Sequence, residues 1–131
     1  MIGQGREQER GIQKGANMPF DYEDFPVYKA TLQFIKEVDS FIETLPSKGT
    51  SRIIDQLQRA AMSIALNIAE GAGRFHKTDK RSFYVNARGS VYECAACFDI
   101  LKAKGLLTEA KNTQFHDSLN DLAKQLSALI K

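Results

Sequence analysis

Residues 59–74 read RAAMSIALNIAEGAGR, and this stretch decides the fold. Ala61, Ile64, Ala65 and Ile68 recur at the three- and four-residue spacing of a buried helical stripe. Asn67 falls beside Ile64 and Ile68, and a buried amide is costly unless hydrogen-bonded, so a partner is expected for it. Gly71 and Gly73 read as C-terminal helix caps, and Arg74-Phe75-His76-Lys77 then opens a basic loop holding one aromatic residue.

Working outward, the same period recurs three more times. Pro26 suits a first helical turn, and Val27, Ala30, Thr31, Phe34, Ile35, Val38, Phe41, Ile42 and Leu45 follow a stripe up to Pro46. Ser47-Lys48-Gly49-Thr50-Ser51 supplies cap residues, after which Ile53, Ile54, Leu57 and Ala60 lead into the opening stretch. A third helix is predicted from Thr78 or Asp79, carrying Phe83, Ala87, Ser90, Val91, Cys94, Phe98 and Leu101 to a stop at Gly105. Thr108 caps a fourth, with Phe115, Leu119, Leu122, Leu126, Leu129 and Ile130 as its apolar positions. No alternating strand pattern of useful length and no Asn-Gly hairpin turn interrupts them. The reading is all-α: an antiparallel up-and-down four-helix bundle over residues 18–131, with short connections. Residues 1–17, rich in Gly and Gln, are expected to be a disordered N-terminal extension, and Met18 a possible functional start.

The pair of signatures RAAMSIALNIAEGAGR and ARGSVYE (residues 87–93) resembles the bacterial four-helix-bundle family of the 23S rRNA intervening-sequence protein. The accessory protein of diversity-generating retroelements is similar to the same family. The likeness runs from about Phe25 to Leu107. It implies a small helical bundle assembling into a homo-oligomeric ring, a homopentamer, with a nucleic-acid-related role and no enzymatic activity. It also implies an alternative role as a protein-interaction adaptor, docking a partner such as a reverse transcriptase.

Charge distribution says where a nucleic acid would bind. The formal net charge is only +2, but residues 74–92 carry five basic side chains and one acid, Asp79. Arg74, His76, Lys77, Lys80, Arg81 and Arg88 are therefore the candidate phosphate-binding residues for structured RNA or DNA, with Phe75 or Tyr84 as stacking platforms; the alternative is a solvated basic surface. No recognition-helix motif accompanies them, so backbone and shape recognition is expected.

Polar residues within the stripes form a second candidate group. Arg59, Asn67, Glu70 and Glu93 read as a structural polar network, with Ser63 alongside, in which Glu93 accepts from Arg59 or Asn67; exposed pairs are the alternative. The Glu-x-x-His pairing of di-iron bundles is missing, so Glu70 and Glu93 give no support to an enzyme. Cys94 and Cys97, three apart within a helix and preceded by no strand, read as core packing, with a metal or redox use as the alternative. His76 and His116, the only histidines, have no ligand-like partner nearby in sequence, and no cofactor, metal or small-molecule substrate is expected. No secretory or membrane-spanning segment is legible, which points to the cytoplasm. Gly89, unfavourable by about 1 kcal/mol relative to Ala in a helix interior, calls for close packing, either at a crossing within the chain or at a subunit seam.

Overall fold

The computed structural model describes residues 20–131; the expectations for residues 1–17 and for a start at Met18 lie outside the described residues. A short 3-10 turn, Asp21–Asp24, precedes four helices: α1 (Pro26–Ile42), α2 (Ser51–Ala72), α3 (Lys77–Ala103) and α4 (Glu109–Ile130). The described residues contain no strand. α2 packs most extensively on α3, α3 on α4, and α1 against α2 and α4. Residue numbers rise on one helix as they fall on its neighbour: Gln56 meets Glu93, Ser63 meets Ser90 and Gly71 meets Tyr84. Asp99 likewise faces His116 while Arg88 faces Ser127, so α3 runs opposite to both α2 and α4.

The stripes read from the sequence form the core, except that Leu129 of the α4 stripe is exposed. Val27, Thr31, Phe34, Val38 and Phe41 of α1 and Leu57, Ala60, Ala61, Ile64 and Ile68 of α2 are buried, with Val91, Cys94, Phe98 and Leu101 of α3 and Phe115, Leu119, Leu122 and Leu126 of α4. Four phenylalanines concentrate at one end. Phe98 and Phe115 stack with centroids 4.1 Å apart, Phe41 lies 5.4 Å from Phe115, and Phe34 meets Phe98 edge-on at 6.3 Å. Cys94 and Cys97 are buried and free, and burial pushes both thiols up, that of Cys94 well above the ordinary thiol range.

The helix ends follow local chemistry. Gly105 at φ 79° closes α3 with paired bonds, Leu106 N to Leu101 O (2.9 Å) and Gly105 N to Lys102 O (2.9 Å), the left-handed glycine stop. Thr108 caps α4 by accepting from Lys111 N at 3.1 Å. Three boundaries differ from the sequence reading. α1 ends at Ile42, short of Pro46, and Thr44 Oγ1 donates to Phe41 O at 2.6 Å. α3 begins at Lys77, one residue early, behind His76. Gly71 is inside α2 and is no cap: a Cβ there would sit 2.8 Å from Tyr84 Cε1 and 3.0 Å from Phe83 Cβ, so the glycine lets α3 approach. Gly73, in the capping place, keeps a right-handed φ of −81°.

Gly89 resolves differently from an internal crossing. It is exposed, and a Cβ would meet nothing within 4 Å among the described residues. It belongs to an outer stripe of α3, Val85, Gly89, Tyr92, Ala96 and Ile100, spaced at the helical period and exposed along its length. α3 is thus apolar on two opposite faces, and only one of them packs against its own chain.

Candidate nucleic-acid interface

The six basic positions do not form one patch. Arg74 is held at the end of α2, where its Nη2 pairs with Glu70 Oε2 at 3.0 Å and its guanidinium lies 4.5 Å from the Phe83 ring centroid. Lys80, half-buried, turns back and donates to Ala72 O at 3.0 Å, which places its cation on the C-terminal carbonyls of α2. These two cations are used within the fold.

Lys77, Arg81 and Arg88 share the other side of α3, towards α4, because they recur four and seven residues apart. Arg81 Nε donates to Ile130 O at 3.1 Å. Arg88 Nε donates to Ser127 Oγ at 3.0 Å, its Nη2 to Tyr92 Oη at 3.2 Å, and its guanidinium lies 5.0 Å from the Tyr92 ring centroid. Each of these partners is neutral, so the arginines are oriented while no carboxylate among the described residues pairs with them. Lys77 is exposed in the first turn of α3, where His76 makes no side-chain cap to the helix amides. Val85, Arg88, Gly89, Tyr92, Ser127, Ile130 and Lys131 line a groove of about 680 Å³ between α3 and α4, and the charged side chains lining it are both cations. Guanidinium forks pair with phosphate oxygens, and Arg81 lies one turn into α3 from its uncapped N-terminus, whose first turn also holds Asp79.

Of the two stacking candidates, Phe75 is 97% exposed at the loop, whereas Tyr84 is buried against the approach of Gly71 and cannot reach a base. Tyr92, 59% exposed beside Arg88, is the aromatic residue that sequence reasoning did not single out. The spacing from Arg88 to Tyr92, four residues on one helix, was the available signal.

The proposed polar network also divides. Arg59 pairs with Asp55 at 3.0 Å and Glu70 with Arg74, both on exposed surface. Glu93 accepts from Gln56 Nε2, not from Arg59 or Asn67. The half-buried link is instead Ser63 Oγ to Ser90 Oγ at 2.8 Å across α2 and α3, with Asn67 Nδ2 donating to Ser63 O at 2.9 Å and to its Oγ at 3.0 Å. Asn67 thus finds its partners on its own helix, one turn back. Helical spacing put the four residues on neighbouring faces, but pairing between helices depends on rotation about each axis.

Fold and surface together define a small four-helix bundle with a cationic flank on its third helix. The profile described as 23S rRNA-intervening sequence protein matches residues 23–128, and the chain belongs to that family. Among solved structures, it is similar to a protein of unknown function from the S23 ribosomal protein family of Bacteroides thetaiotaomicron. The two share 18% identity over 80% of this chain and 98% of the other, at a TM-score of 0.72, a likeness of fold. The search of curated proteins returns no match.

Proposed function

We propose that the protein is a non-enzymatic, ring-forming homo-oligomer that binds structured RNA or DNA through Lys77, Arg81 and Arg88. The observation that carries this reading is the pair of arginines held by neutral acceptors, since a guanidinium already oriented loses little freedom on meeting a phosphate. Arg74 and Lys80 leave the candidate set as fold-supporting cations, and His76 stays at its rim. The outer α3 stripe supports assembly: Val85, Tyr92 and Ile100 expose apolar surface around Gly89, where a second backbone can approach, and because Val85, Gly89 and Tyr92 also line the groove beside Arg88, such a seam borders the phosphate site. Repetition around a ring multiplies a modest site without new contacts.

The test is fluorescence anisotropy of a labelled RNA hairpin and a DNA duplex at low and physiological salt. The comparison is wild type against a variant carrying Lys77→Glu, Arg81→Glu and Arg88→Gln. Binding that weakens with salt, with a salt slope reduced by roughly 1 for each phosphate contact removed, is the expected result. Binding that the variant retains in full overturns the assignment. Docking of another protein on the α3 stripe, the adaptor role, is the second reading; salt-insensitive capture of a partner would favour it.

A further inference from the structure

Apart from Phe20, Phe75 and Leu129, the large apolar side chains exposed among the described residues fall into two groups. One is the α3 stripe of Val85, Tyr92 and Ile100. The other lies across α1 and α2, where Leu32, Met62 and Leu66 are 43%, 51% and 64% exposed. Val38 shares a groove with Gln58, and Ile35 shares it with Met62, so α1 and α2 run in opposite directions. Leu32, one turn before Ile35, therefore comes beside Leu66, one turn beyond Met62. Met62 and Leu66 belong to residues 59–74, the stretch that decides the fold, yet neither the core nor the cationic flank uses them.

The two groups complement each other. Ile35, Val38, Ala61 and Met62 give the α1–α2 groove, of about 250 Å³, an apolar lining, and Asp39 and Gln58 supply acceptors within it. Such a slot suits a side chain that is apolar along its length and donates at its tip, the character of tyrosine. Tyr92 Oη accepts from Arg88 Nη2 on its own chain, which leaves its hydrogen to donate. Gly89, one turn before Tyr92, admits a second backbone closely enough for the ring to enter. The charges agree as well: Arg88 accompanies Tyr92, and exposed Asp39 accompanies the groove. α3 packs on α2 and α4 and stands diagonally across from α1, so the two groups face different sides of the bundle. A single two-fold partner cannot cover both. Each copy can instead offer one group to one neighbour and the other group to a second, the heterologous contact from which rings are built.

We propose that Tyr92 of one copy seats in the α1–α2 groove of the next, against Ile35, Met62 and Leu66, joining copies head to tail; this rests on the assembly proposed above and names the surface that receives the α3 stripe. Static light scattering and circular dichroism of the full chain test it with Leu66→Glu and, on the other helix, Leu32→Glu. Each variant should give the mass of a single chain with wild-type helicity, as Tyr92→Asp should. The decisive step mixes Leu66→Glu, which keeps its Tyr92, with isotope-labelled Tyr92→Asp, which keeps its groove. One intact junction then forms, and the amide signals of Ile35, Met62 and Leu66 in the labelled chain should shift, whereas adding unlabelled Tyr92→Asp should leave them unmoved. Wild-type mass in both groove variants, or no shift on mixing, overturns the proposal and leaves assembly through α3 standing. A wild type with the mass of a single chain overturns the assembly itself.

Discussion

Two glycines eighteen residues apart are expected to respond oppositely to the same substitution. Gly71→Ala gains about 1 kcal/mol of helix propensity, but its methyl group enters space already held by Tyr84 and Phe83. Overpacking of that kind costs about 1–3 kcal/mol, so a net loss of about 1 kcal/mol is expected. Gly89→Ala meets nothing in its own chain and should stabilise the isolated subunit by about 0.5–1 kcal/mol. Denaturant unfolding of dilute samples measures both. Cys94 provides a pH counterpart. Its thiol is held well above the ordinary range by burial, with the neighbouring Cys97 and Glu93 adding to the effect. Thiolate is therefore scarce in the folded chain at pH values where a free thiol ionises. Labelling by a thiol reagent should stay slow as pH rises to about 9 and become fast only in denaturant.

Among the elements, the connection between α3 and α4 is the most sharply specified. Gly105→Ala forces a side chain into the left-handed region and should lower stability by about 1 kcal/mol, measurable as a fall in melting temperature. Such ends were legible in the sequence because Pro26, Gly105 and Thr108 each act on their own backbone. The buried stripes were legible for a related reason: a period of 3.6 singles out one face whatever it packs against. What sequence could not convey was lateral pairing. Glu93 meets Gln56, Lys80 turns back to α2 and Asp99 meets His116, and each pairing depends on the rotation of one helix against the next. The candidate site was accordingly half legible: Lys77, Arg81 and Arg88 stand out as charge, whereas the diversion of Arg74 and Lys80 into the fold needs the third dimension.

At the scale of the whole molecule, the proposed assembly is expected to run through the outer stripe of α3. Tyr92→Asp puts a carboxylate in the centre of that stripe, on a side chain that contributes nothing to the buried core. Static light scattering should then report the mass of a single chain, with the helical circular dichroism of the wild type retained. An unchanged assembly mass would move the seam to another face. The phenylalanine cluster carries a further consequence. Phe34, Phe41, Phe98 and Phe115 tie together the end that holds the α3–α4 connection, while Ile68, Gly71, Tyr84 and Ala87 fill the end from which Lys77 and Arg81 project. The bundle is therefore tied together most closely at its aromatic end. Amide protons are expected to exchange with solvent first at the opposite end, the one that carries Lys77 and Arg81.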